Sequence, residues 1–473
     1  MTRAPAARAA IRLMPALLAM PVLLAGCDLA PRYAPPTMPV PPAFKEQAGW
    51  IQATPQDAAP KGAWWRMFRD PDLDRLEDAV TAANQDLRIA VAQFDEARAD
   101  ARTAQADYYP TLDLNGAWSR NGLSGAVANV FRNRTFNNYS LGLDLQYEVD
   151  VWGRVRNQAR AGRARAAASA GDLASVALSL HAELATDYIL LRGYDAQQDV
   201  LDRTVRNDRH ALDLTQAQFN VGYIAQPDLS AAQAQLQSVI TQQTDNRLKR
   251  ATLEHAIAVL TGQPPAFFSL PPRPLPADPP GIAPGLPATL LQRRPDIAAA
   301  ERRVAAANAE IGVARAAYFP ALTFDALMGV QAAMPNHLLS APAQAWSFGP
   351  QAVLNLFDGG RRAALNAHAG AAHDETVARY RQTVLDAWRD VEDALAALRH
   401  LAEESVSQHE AVLAAADATH RAGQLGTGGL ANDYSVIVAR NIELSDRLSE
   451  VDIATRRLAA YVALVKALGG GWR

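Results

Sequence analysis

The sequence predicts an α+β membrane protein. Four long strands per chain would close a β-barrel only when several chains combine, and very long helices would continue from them into water. Three observations carry this. Residues 139 to 151 alternate between apolar or aromatic and polar or glycine, two long segments echo each other, and heptad spacing is sustained over runs of about 65 residues.

The front of the chain reads as an export signal. Arg3, Arg8 and Arg12 precede an apolar core, "LMPALLAMPVLLAGC", too short to span a bilayer as a helix. It ends in Leu24-Ala25-Gly26-Cys27, which resembles a bacterial lipobox. Cys27 is the only cysteine and has no partner for an intrachain disulfide. The expectation is a signal over 1–26, removed so that Cys27 becomes the acylated first residue. Several acyl chains on one residue anchor stably where one is marginal. Asp28 is a residue type associated at that place with inner-membrane retention in some enteric bacteria, so membrane placement has to be argued from the rest of the chain. A net charge of -3 over 473 residues carries no excess of the kind that binds nucleic acid. No later segment resembles a transmembrane helix, so any membrane crossing falls to strands.

The echo runs from "DLRIAVAQFDEARADARTAQADYYPTL", starting at Asp86, to "DIAAAERRVAAANAEIGVARAAYFPAL", starting at Asp296. Tyr108-Tyr109-Pro110 then falls on Tyr318-Phe319-Pro320, Gly153-Arg154 on Gly360-Arg361, and Gly222 on Gly423. Each half therefore reads helix, strand, loop, strand, very long helix, Gly turn, helix. Prolines crowd into a tail over 27–62 and a linker over 264–288, "PPAFFSLPPRPLPADPPGIAPGLP" being its core. The first repeat spans 63–263, with a strand pair at about 111–151 and a tip near 222; the second spans 289–473, with a strand pair at about 321–357 and a tip near 423–429.

In the strand at 139–151, Leu141, Leu143, Leu145 and Tyr147 share one face, and Asp144, Gln146, Glu148 and Asp150 the other. Leu112, Leu114 and Trp118 alternate with Asp113 and Asn115; Leu322, Phe324, Ala326 and Met328 alternate with Thr323 and Asp325. A fourth strand carries Trp346, Phe348, Ala352 and Leu354. Alternation also fits a soluble sheet with one wet face. Strand length, aromatic residues near strand ends and the export signal favour a membrane wall. A bilayer tolerates no open sheet edge, and small barrels begin at about eight strands, so two or three chains have to contribute.

The long helices carry the heptad. Val377, Tyr380, Val384, Ala387, Val391, Ala394, Leu398 and Leu401 advance by alternate steps of three and four. Ile437, Asn441, Leu444, Leu448, Val451, Thr455, Leu458, Val462 and Val465 repeat the pattern in the last helix. A run of about 65 residues is roughly 100 Å long, far beyond any bilayer, and is polar on its outer stripe, so it projects into an aqueous space.

These features, with "WWRMFRDPDLDRL", "NLFDGGRR", "YRQTVLDAWRDVEDALAAL" and "LVKALGGGW", make the chain resemble a TolC-family outer-membrane efflux channel, the outer-membrane factor of resistance-nodulation-division (RND) systems, in the OprM- and NodT-like lipoprotein branch. The resemblance extends from 64 to 472. It implies a homotrimer with a twelve-stranded barrel over a periplasmic helical tunnel. It also implies an inner-membrane RND pump, a periplasmic adaptor, outer-membrane lipid as surroundings, and no cofactor, metal or catalytic residue. The closed end would lie at the hairpin tips near Gly222 and Gly423, with Tyr434, Val438 and Asn441 facing the gate. Relatives often carry Asp and Arg at the last two positions. Here Asp228, Asp433 and Arg440 are the substitutes at hand, and closure is expected to be more hydrophobic. The pore wall would take its acids from Asp113, Asp144, Glu148, Asp150 and Asp325, a ring that favours cations. Two other readings fit less well. An enzyme lacks support, because the nine histidines are scattered and no HExxH, GxSxG or phosphate loop occurs. A periplasmic coiled-coil adaptor lipoprotein would have no use for lipid-facing strands.

Overall fold

The computed structural model describes residues 27–47, 62–122, 124, 135–276, 293–427 and 433–470. The predicted signal over 1–26 and the linker from 277 to 288 lie outside the described residues. The sequence halves are not the compact units. One unit takes Met1–Thr37, Phe94–Ser169 and Ala299–Tyr380, the other Met38–Gln93, Ala170–Ala298 and Arg381–Arg473. Each unit thus draws on both halves.

The first unit holds an antiparallel sheet of β1 (Thr111–Gly122), β2 (Thr135–Glu148), β3 (Ala321–Ala332) and β4 (Gln344–Val353), paired in that order. The expected hairpins β1–β2 and β3–β4 are joined through β2–β3, which stitches the halves together. Register follows the alternation: Leu114, Leu143, Met328 and Trp346 lie across from one another, as do Asp113, Asp144, Leu327 and Ser347. Near the middle the strands approach closely. A Cβ on Gly329 would stand 2.5 Å from the Leu141 carbonyl oxygen and 2.6 Å from the Gly142 Cα, both backbone atoms that cannot swing away.

Strand passes to helix within a few residues. After Glu148 the Trp152 indole donates to the Pro320 carbonyl at 2.8 Å and stacks on Phe319 at 4.7 Å between centroids. Gly153 takes φ 79, a left-handed turn that favours glycine. Helix α1 (Pro71–Ala83) is followed by α2 (Gln85–Ala106), and α5 (Pro295–Ala316) is the counterpart of α2. The others are α3 (Arg154–Asn220), α4 (Gln226–Leu260), α6 (Arg361–Thr427) and α7 (Asp433–Ala467). Lengths match between halves: α3 and α6 have 67 residues each, α4 and α7 35, and α2 and α5 22.

The second unit holds the main apolar core. Leu184, Ile189 and Leu191 of α3 meet Ile257 of α4, Val391 and Leu395 of α6, and Leu458 and Val462 of α7. Expected heptad positions such as Val384, Val391, Leu398, Leu458 and Val462 are buried, whereas Val377, Ile437 and Val451 are only half-buried, and Leu395, Ile453 and Leu464, which lie off the heptad, are buried as well. Helix α1 starts cleanly because the Asp70 carboxylate accepts from the Asp72 and Leu73 N–H groups and Pro71 needs no partner there. Arg192 is fully buried, 2.8 Å from Asp195 and from the Pro271 carbonyl, with Tyr188 under its guanidinium. The proline-rich segment is therefore no loose spacer in its first part. Leu270 is in the core, and its N–H donates to Glu254 at 2.6 Å.

Candidate functional site

Three places bear on function: the polar sheet face, the helix-hairpin ends and the anchored N-terminal strap. On the sheet, Asp113 lies directly across from Asp144, and Gln146 across from Asp325, with Thr323 hydrogen-bonded to Asp325 at 3.0 Å. The opposite face is apolar and open, with Leu114 at 69% exposure, Met328 at 74% and Trp346 at 71%. A sheet this greasy on one side and acidic on the other has no stable home in water alone.

Two expected wall acids have other work. Asp150 lies past the end of β2, so its assignment to the strand face is corrected. Its carboxylate accepts from the Val155 N–H at 3.2 Å and the Arg156 N–H at 2.9 Å, capping α3. Glu148, the last residue of β2, is held by Arg154, whose Nε donates at 2.7 Å. The alternation carried on through Asp150 because an aspartate suits a wet strand face and a helix cap equally. The second half had the clue: Asp358, ahead of Gly360-Arg361, caps α6 through the Gly360 and Arg362 N–H groups.

At the first hairpin, α3 ends at Asn220, and Gly222 turns the chain with φ 75 while its N–H reaches the Phe219 carbonyl. Asp228 sits in the first turn of α4. Val221 and Tyr223 flank the turn, both largely exposed. The second hairpin corrects an expectation. Gly423 is inside α6, which runs on to Thr427, so it is a helical glycine and no turn. Equal helix lengths put the partner of Gly222 at Gly429, and residues 428–432 lie outside the described residues. The side chains of Asp433 and Tyr434 do as well. Val438 is exposed. Asn441 is half-buried in a polar groove of about 670 Å³, with Gln235, Gln242, Gln408 and Ser445. Arg440 lines a neighbouring groove with the buried Asp208, a pair that single-sequence spacing could not bring together. Burial pushes the Asp208 carboxyl up, against the pull of Gln235 and Arg440.

The strap starts at Cys27. The Cys27 carbonyl accepts from Arg156 at 3.3 Å, and Asp28 is bound by Asn157 at 2.9 Å and by Arg160. Burial works to raise the Asp28 pKa, but Arg160, Asn157 and the Ala30 N–H hold it below the ordinary carboxylate value. Farther on, Leu29 meets Arg315, the Pro31 carbonyl accepts from Asn308 at 2.8 Å, and the Tyr33 hydroxyl donates to Glu301. The strap so bridges α3 and α5, helices of the two halves. Spacing gave no hint of this seat.

A sheet with one lipid-type face, two open edges and heptad helices of 67 residues defines a membrane-wall subunit of a helical channel. The comparisons with known proteins specify the class. The sequence profile described as "Outer membrane efflux protein" matches residues 77–263 and 286–470. The outer membrane protein OprJ of Pseudomonas aeruginosa is 31% identical over 462 residues, covering 96% of this chain and 95% of OprJ. The cation efflux system protein CusC of Escherichia coli is 30% identical over 474 residues, covering 98% and 99%. The solved outer-membrane channel OprN superposes with a TM-score of 0.88 at 30% identity, covering 94% of this chain and 100% of that one. The chain belongs to the outer membrane efflux protein family and is an outer-membrane efflux channel. The match covers both halves, strands included, and nothing in it supports the adaptor alternative.

Proposed function

We propose that the protein is the exit duct of a tripartite pump, a homotrimer whose twelve strands close one barrel and whose helices form a periplasmic tunnel. The carrying observation is the four-stranded sheet, which among the described residues has an unpaired outer edge on β1 and another on β4. In a bilayer those backbone groups have no water to bond, and pairing β4 of one copy with β1 of the next satisfies them. The matched lengths of the two halves support an internal duplication. An inner-membrane pump of the RND type supplies the energy and a periplasmic adaptor couples the two; the duct conducts small molecules passively. Relatives named for efflux of cations, toluene and solvent all match this chain, in keeping with a permissive wall and substrate choice elsewhere.

Cys27, exposed and held at the foot of the sheet, is the acylated residue in this reading. The hairpin end at Gly222 belongs to the shut end, with Val438 contributing an apolar seal and Asp228 and Asn441 near it; the second tip and the side chains of Asp433 and Tyr434, also expected there, lie outside the described residues. Val438→Ala should raise single-channel conductance and drug leakage; unchanged values would remove the seal from this account. The deciding experiment is the native mass of the detergent-extracted protein from outer-membrane fractions. A trimer is expected, and a stable monomer would overturn the composite barrel.

A further inference from the structure

We propose that Arg102 and Arg163 form a headgroup site for an anionic phospholipid of the periplasmic leaflet, beside the anchored N-terminus. The inference rests on the strands spanning the outer membrane. Helix α2 leads into β1 and α3 leaves β2, and β1 and β2 are antiparallel, so the helices run in opposite directions. Gly162 lets them touch: a Cβ there would stand 3.3 Å from the Ala101 Cα and from the Ala104 Cβ. Each helix turns about 100° per residue, so on an antiparallel right-handed pair the residue after each contact residue swings to the same side. Those residues are Arg102 and Arg163.

Both are exposed, and neither side chain has a hydrogen-bond or ion-pair partner among the described residues. None of the residues three or four positions away on either helix is acidic. The carboxylates beside the neighbouring arginines of α3 are taken, and Asp100 and Asp107 of α2 are paired with neither Arg102 nor Arg163. Asp150 holds Arg156, Asp28 holds Arg160, and Glu310 holds Arg165. Among the described residues, two guanidinium groups therefore share one side with no ion-pair partner.

Their level follows from the strap. Arg156, Arg160 and Arg163 fall on one face of α3, and the first two grip Cys27 and Asp28. Arg163 is the next position on that face, about 10 Å along the helix from Arg156. Above it Tyr109 is 73% exposed just ahead of β1, the place of an interfacial aromatic. An arginine stem can lie along the helix while its head rises to a phosphate, which its planar fork grips with two bonds. Two uncompensated positive charges favour a headgroup of net negative charge over a zwitterion.

The test uses the full-length protein in detergent, incubated with phosphatidylglycerol or phosphatidylcholine and read by native mass spectrometry. Wild type should retain phosphatidylglycerol several-fold better. Arg102→Gln with Arg163→Gln should erase the preference, the paired Lys variants should keep most of it, and Arg209→Gln, an exposed site far along α3, should leave it intact. Should the double Gln variant fail to fold, Arg163→Gln alone should still cut the preference markedly. Equal retention of both lipids by wild type overturns the proposal. So does a preference that survives the Gln variants, or displacement of the lipid by the same concentration of inorganic phosphate. Failure of the spanning reading looks different: wild type would then enter liposomes of no composition.

Discussion

Glu77 has its side chain out of water, one carboxylate oxygen 2.6 Å from Nδ1 of His181 and the other without a partner among the described residues. Trp65 stacks on that imidazole at 4.6 Å. Burial pushes the Glu77 carboxyl up to about 7 from an ordinary 4.5, although His181 pulls the other way. The folded chain thus binds this proton more tightly than the unfolded one. Its contribution to stability is full below about 4.5 and is lost as pH rises through about 7. Thermal midpoints at pH 5 and pH 8 should show wild type losing more on going to pH 8 than Glu77→Gln; parallel losses would count against this account. Asp150→Ala removes the acceptor for two first-turn N–H groups of α3 and should cost about 1–2 kcal/mol in denaturant unfolding. The Glu77–His181 pair was not legible in the sequence, because it depends on what lies opposite; the Asp150 cap is local, and the parallel with Asp358 is the only sequence signal for it. The apolar positions were legible, since a period of two or of three and a half is written into local order.

Among the elements, the two hairpins give opposite expectations for the same substitution. Gly222 has φ 75, and alanine there should cost about 1–2 kcal/mol. Gly423 lies in α6 with open space where a Cβ would go, and alanine should stabilise by about 0.5–1 kcal/mol. Chemical denaturation of the two variants separates them by sign. Sequence alone equates Gly222 with Gly423 because Gly423, Gly426, Gly428 and Gly429 crowd one stretch, and only the helix length decides among them. In the sheet, Gly329→Ala should abolish channel assembly on a native gel, because its Cβ would meet backbone. Gly349→Ala, with nothing within 4 Å, should assemble normally. Alternation told which residues share a face; the close approach of Gly329 to Leu141 arises from pairing between halves distant in the chain.

For the whole molecule, the acids left on the polar sheet face are Asp113, Asp144 and Asp325, with Glu148 neutralised by Arg154. In the proposed closed barrel, repetition of the Asp113–Asp144 pairs should make the pore cation-preferring. In a planar bilayer under a salt gradient, Asp113→Asn with Asp144→Asn should move the reversal potential toward zero; an anion-selective wild type would sink the prediction. The open edges of β1 and β4 carry a consequence for a cell that makes more than one such channel. Hydrogen bonds along a strand edge use groups that every polypeptide shares, so they cannot tell kin from stranger. Keeping sibling subunits apart falls to the side chains flanking those edges and to the helices. Those are the positions at which coexisting channels should have diverged.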